Sequence, residues 1–94
     1  MPVENPKLRL RIHGAVQGVG FRYHVRQAAR RLGLAGWVLN RTDGAVELEA
    51  GGDPRALEQF RQAVTRGPPL AHVERVESLE PGDDTLPVPF EVRR

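Results

Sequence analysis

Between residues 14 and 22 the chain reads Gly-Ala-Val-Gln-Gly-Val-Gly-Phe-Arg, a glycine-punctuated stretch that ends in an arginine. Glycine tolerates positive φ and lets the backbone approach a ligand closely. Successive amide N–H groups in such a loop can turn inward as a nest, with the positive end of a following helix behind them. Arg22 falls in the first turn of the helix that the pattern starts at Phe21, so its fork can reach the same centre. An arginine–phosphate pair of that kind is charge-assisted and geometrically specific. The stretch reads either as an anion cradle or as a glycine-rich connection beside a solvated arginine. It is not a nucleotide P-loop or a dinucleotide fingerprint, because GxxxxGK[ST] and GxGxxG are both absent.

The residue inventory narrows the phosphate chemistry that such a cradle could serve. A chain without cysteine has no thiolate nucleophile, disulfide or thiolate metal site. The aspartates are Asp43, Asp53, Asp83 and Asp84, all in predicted turns or caps, so no strand-end pair suits an aspartyl-phosphate route. Ser78 is the only serine and has no histidine near it in sequence. His13, His24 and His72 lack metal-ligand spacing, and no HExxH or paired-carboxylate motif occurs. The expectation is therefore no metal, with water as the attacking group.

A second polar group stands at a strand end. In the predicted strand Leu34–Asn40, residues 34, 36, 38 and 40 share one face, and Leu34 and Val38 suit a core. Asn40 then directs an amide toward the helix layer, where it needs partners. It reads either as a cap for the following Asp43-Gly44 turn or as a group that orients a water beside the loop. Trp37 has the opposite parity and is expected to pack half-exposed. His24 is expected at an exposed helix position.

The elements that must position these groups follow from periodicity. Leu8–His13 alternates as a half-buried strand, and Gly14–Gly20 is the loop. Phe21, Val25, Ala28, Ala29 and Leu32 recur at helical spacing until Gly33 stops the helix. After Leu34–Asn40, the Arg41-Thr42-Asp43-Gly44 turn leads to a third strand, Ala45–Ala50, in which Glu47 and Glu49 oppose Val46, Leu48 and Ala50. Asp53-Pro54 caps and starts a second helix with Ala56, Leu57, Phe60, Ala63 and Val64 as its buried stripe. A fourth strand over Ala71–Glu80 has Val73 and Val76 three apart, which predicts a bulge. Val88, Phe90 and Val92 suggest a short last strand, at an edge because Pro89 lacks a donor. The expected fold is α+β, a ferredoxin-like βαββαβ sandwich with two helices on one face of an antiparallel sheet and an extra C-terminal edge strand.

The loop Gly14–Arg22 together with Gly36-Trp37-Val38-Leu39-Asn40 resembles the signature pair of the acylphosphatase family, G-x-V-Q-G-V-x-F-R and G-x-V-x-N. The resemblance implies a cofactor-free hydrolase of acyl phosphates such as acetyl phosphate or 1,3-bisphosphoglycerate. It places the phosphate-binding role on Arg22 and on the backbone amides of Ala15, Val16, Gln17, Gly18, Val19 and Gly20, and the water-positioning role on Asn40. An acyl phosphate carries a good leaving group, so positioning and charge stabilisation suffice without a dedicated general base.

Bulk properties agree with a small enzyme. Ninety-four residues fit one domain, 1–94, and the net charge is +2. Thirteen of the 14 basic residues are arginine, a skew that base composition explains as readily as function. No apolar run approaches the roughly 20 residues of a membrane span, and the N-terminus lacks a signal-like layout. A cytoplasmic monomer acting on a small molecule, with neither nucleic acid nor membrane as partner, is expected. Two rivals differ in class. An RNA-binding module would carry base-stacking aromatics on its central strands, which Leu8–His13 and Ala45–Ala50 lack. A non-catalytic regulatory domain would bind an anion in the loop without turnover. The acylphosphatase-like domain of hydrogenase maturation proteins is a related possibility, disfavoured here because the chain is expected to stand alone.

Overall fold

The computed structural model describes residues 6–94. The chain forms β1 (Lys7–Ala15), α1 (Phe21–Arg31), β2 (Ala35–Asn40), β3 (Val46–Gly51), α2 (Pro54–Arg66), β4 (His72–Leu79) and β5 (Glu91–Arg93). The strands make one sheet in the order β4-β1-β3-β2-β5. Neighbours are antiparallel except β5, which runs parallel to β2. The four strands of the βαββαβ unit are thus antiparallel as expected, and the extra edge strand β5 makes the five-stranded sheet mixed.

Both helices lie on one face. α1 buries Phe21, Val25, Ala28 and Ala29, and α2 buries Leu57, Phe60, Ala63 and Val64. They meet Leu10 and Ile12 of β1, Val38 of β2, and Val46, Leu48 and Ala50 of β3 in a single core. Each large side chain enclosed there contributes roughly 1.5–3 kcal/mol of transfer free energy. The second helix starts as its sequence predicts, with Asp53 accepting from the amides of Arg55 (2.8 Å) and Ala56 (3.3 Å).

The predicted bulge is present in β4. His13 pairs with Arg75 and Gly14 with Val73, which leaves Glu74 without an opposite residue. That shift returns both Val73 and Val76 to the helix face. Gly14 is strand rather than loop: β1 continues to Ala15, opposite His72. A Cβ on Gly14 would stand only 2.2 Å from the His72 carbonyl oxygen, so this crossing requires glycine.

The last strand is shorter than expected. Val88 and Phe90 lie outside it, and Val88 is exposed. Pro87 and Pro89 have no N–H to offer a ladder. The Pro87 carbonyl accepts from Gly36, while the Phe90 carbonyl is taken by the Arg30 side chain at 3.1 and 3.0 Å. Pairing with β2 can begin only at Glu91, opposite Trp37.

The face away from the helices is a lattice of charges. Glu47 and Glu49 occupy it as parity predicts, yet they are only 3% and 4% exposed. Arg9 (2.6 Å), Arg11 (3.0 Å) and Arg41 (2.9 Å) converge on Glu47. Burial alone would raise the Glu47 carboxyl, but hydrogen bonds from Arg9 and Arg11 outweigh it and hold the group below the usual glutamate range. Trp37 on this face is 7% exposed rather than half-exposed. The guanidinium carbons of Arg9 and Arg93 lie 5.4 and 5.3 Å from its ring centroid and cover it.

Candidate active site

The loop between β1 and α1 consists of residues 16–20. Gly18 and Gly20 both take φ 77°, and a Cβ on either would meet nothing within 4 Å. Backbone conformation, not crowding, is what calls for glycine here. Among the described residues, no turn or loop carbonyl accepts from the amides of residues 16–20. Gly20 then caps α1 without a side-chain bond, and no acid occupies the first turn. The loop with its unpaired amides and the positive helix end therefore border one place, with no acidic side chain to neutralise them.

That place is a cavity of about 430 Å³. Val16, Gly18 and Gly20 of the loop, Arg22 and Asn40 all line it, together with Phe21, Tyr23, Arg26, Val92 and Arg94. No acidic residue is among them. Arg22 Nη1 donates to the carbonyl oxygen of Arg93 at 3.2 Å and makes no ion pair among the described residues. A neutral carbonyl is a weaker partner for guanidinium than a phosphate dianion, so this tether is exchangeable.

Buried polar side-chain atoms are nearly always hydrogen-bonded. Among the described residues, the two that are not are Asn40 Oδ1 and Arg26 Nε, and both residues line this cavity. One is an acceptor and the other a donor. Each is missing a partner at the wall of the same cavity.

Of the residues read from sequence, Val16, Gly18, Gly20, Arg22 and Asn40 come together. Ala15 is held in β1 and does not line the cavity, and Val19 packs against the core. The side chain of Gln17 turns toward the β2–β3 hairpin, where Nε2 donates to the carbonyls of Arg41 (2.7 Å) and Ala45 (3.0 Å). The hairpin is itself tightly built. The Arg41 amide donates to the Ala45 carbonyl at 2.8 Å, and the Asp43 carboxylate accepts from the Ala45 amide at 3.0 Å. That backbone bond, followed by the Arg41 side chain, holds Asp43 below the usual carboxylate range. Asn40 thus sits at the base of a rigid turn to which the loop is bolted.

His24 leaves the site altogether, donating from Nε2 to the Ala63 carbonyl of α2 at 3.0 Å. Sequence reasoning missed Tyr23 and Arg26. The signal was available for Arg26, which stands four residues after Arg22 and so on the same helix face.

The acylphosphatase family model matches residues 8–92. An acylphosphatase of Halorhodospira halophila is 45% identical over 92 residues, 98% of this chain and 99% of that protein. One from Cupriavidus pinatubonensis is 54% identical over 70 residues, 74% of this chain and 77% of its own. The crystal structure of the Bacillus subtilis acylphosphatase superposes with a TM-score of 0.82 at 37% identity, covering 94% of this chain and 98% of that one. With the loop, the arginine and the strand-end asparagine around one cavity, these similarities have a single meaning: the chain belongs to the acylphosphatase family, hydrolases of acyl phosphates.

Proposed function

We propose that the chain hydrolyses acyl phosphates by direct attack of water on phosphorus, in the cavity between the 16–20 loop and Asn40. The phosphoryl dianion lies against the amides of the loop and the first turn of α1. Arg22 exchanges the Arg93 carbonyl for the phosphoryl oxygens. Asn40 Oδ1 accepts a hydrogen bond from the attacking water and fixes it opposite the leaving carboxylate. A P–O bond to water forms as the P–O bond to the acyl carboxylate breaks, giving carboxylate and inorganic phosphate. The leaving group departs as an anion without needing a proton, so the protein's task is placement and neutralisation of charge.

The observation that carries this reading is Asn40, whose buried Oδ1 has no partner, lining the same cavity as Arg22 and the loop residues Val16, Gly18 and Gly20. An unsatisfied buried acceptor costs about 1–3 kcal/mol, and a bound water removes that penalty.

The same reading takes residues 1–94 as one domain, needing no cofactor, and the protein as a cytoplasmic monomer whose partner is the small substrate. No helix of the described chain is long and apolar enough to cross a membrane. A nucleic-acid role is disfavoured by the burial of Trp37, the aromatic that the charged sheet face could have offered for stacking. The test is hydrolysis of benzoyl phosphate by the purified protein in EDTA, with inorganic phosphate as competitor. Turnover in chelator with competitive inhibition is expected; phosphate binding without turnover would make this a regulatory anion-binding domain instead.

A further inference from the structure

Three arginines of α1, at positions 22, 26 and 30, are spaced four apart and so form one stripe along the helix. The outer two are each tied to the C-terminal segment. Arg22 donates to the Arg93 carbonyl and Arg30 to the Phe90 carbonyl. The middle one is not. Arg26 Nε is buried with no hydrogen-bond partner, and Arg26 makes no ion pair among the described residues.

Arg26 is nevertheless held in place. Its guanidinium carbon lies 5.0 Å from the centroid of the Tyr23 ring, and the Tyr23 hydroxyl accepts from Gln27 Nε2 at 3.0 Å. Tyr23 is itself 57% exposed, at the rim of the same cavity that Arg22 and Asn40 line. The platform therefore presents an unpaired guanidinium from a residue one helical turn after Arg22, with about 5–6 Å between the two Cβ atoms. Two like charges lining one cavity repel, and an anion between or beside them relieves the repulsion. No acidic side chain of the cavity supplies one.

Resting on the phosphoryl site described above, we infer that Arg26 is a specificity-determining residue: stacked on Tyr23, it binds a second anionic group carried by the acyl half of the substrate. The preferred substrates are then acyl phosphates whose leaving carboxylate bears another carboxylate or phosphate. Arg22 takes the transferred phosphoryl group and Arg26 takes the distal anion. A neutral acyl group such as acetyl leaves Arg26 unmatched.

The experiment compares succinyl phosphate with acetyl phosphate, by kcat/KM, for the wild type, Arg26→Gln and Arg26→Lys. In Arg26→Gln the succinyl-to-acetyl ratio is expected to fall about tenfold, the worth of one charge-assisted contact. Arg26→Lys, which keeps the charge and loses the planar fork, restores part of the ratio. The two substrates falling together, or a ratio equal to that of the wild type, overturns the assignment, since a structural or phosphoryl-binding role treats both alike. If the wild type hydrolyses neither substrate, it is the acyl phosphatase mechanism that fails, and that result is separate from a turnover with unchanged selectivity.

Discussion

The side-chain amide of Gln17 reaches 24 residues along the chain to donate to the carbonyl oxygen of Arg41 at 2.7 Å. A second bond from the same nitrogen goes to Ala45, across the turn. Residue 41 follows Asn40 directly, so this pair fixes the distance between the anion loop and the proposed water-positioning amide. Neither β1 nor β2 touches the other in the sheet, because β3 lies between them. The two halves of the site therefore depend on Gln17 for their local register.

Gln17→Ala should separate positioning from binding. Two neutral hydrogen bonds are lost, for a stability decrease of about 1–2 kcal/mol. The expected kinetic signature is a kcat about tenfold lower with a smaller change in KM, since the loop amides remain while Asn40 loses its fixed distance to them. Steady-state kinetics with an acyl phosphate, beside thermal unfolding, checks both effects. A large KM increase at normal kcat would show that Gln17 serves binding alone.

Arg22 offers a different split. Arg22→Ala removes the only arginine in the first turn of α1, and with it the fork that the mechanism places on the phosphoryl oxygens. Turnover should drop by at least about 10³, and inhibition by inorganic phosphate should weaken in parallel. Arg22→Lys keeps the charge but not the bidentate geometry and should recover only part of the loss. The phosphate inhibition constant is the discriminating number, because a residue that merely tethered the Arg93 carbonyl would leave it unmoved.

Acid stability should depend on Glu47. Its carboxyl is held below the ordinary glutamate value in the folded protein, so the unfolded chain binds its proton first as pH falls. The stabilisation it provides is complete above the unfolded value of about 4.3 and is lost as pH falls through the lower folded value. Glu47→Gln leaves Arg9, Arg11 and Arg41 facing a neutral amide and should cost about 2 kcal/mol at pH 7. Denaturant unfolding between pH 7 and pH 3 should then show a shallower acid decline for the variant than for the wild type. Parallel curves would mean that Glu47 does not govern that limb.

Much of the architecture was legible because local chemistry and global packing agree. The apolar stripes of α1 and α2, the Asp53 cap, the Asp43-Gly44 turn and the bulge signalled by Val73 and Val76 are short-range patterns, and the structure contains each of them. The misreadings are long-range. Parity placed Glu47, Glu49 and Trp37 on the open sheet face correctly, but it could not show that Arg9 and Arg11 of β1, Arg41 just after β2 and Arg93 of β5 close over Glu47 and Trp37, or that the Gly82 amide meets Glu49. The end of the chain read as a strand from Val88 because alternation says nothing of where the Phe90 carbonyl goes, and the competitor is Arg30 on a distant helix. In the candidate site the loop, Arg22 and Asn40 were visible as residue types with the right spacing. Arg26 and the Gln17 side chain were not, since their importance lies in what one lacks and what the other reaches.

The central claim is that Asn40 holds water against a phosphoryl group bound by the loop and Arg22. Its most direct test is Asn40→Ala, with kcat on benzoyl phosphate in EDTA measured beside the inhibition constant of inorganic phosphate. The expected result is a kcat lower by about 10²–10³, comparable to the loss of one transition-state contact, with phosphate inhibition within about twofold of the wild type, well under the 1.4 kcal/mol of a tenfold change. A variant that turns over at the wild-type rate would contradict it.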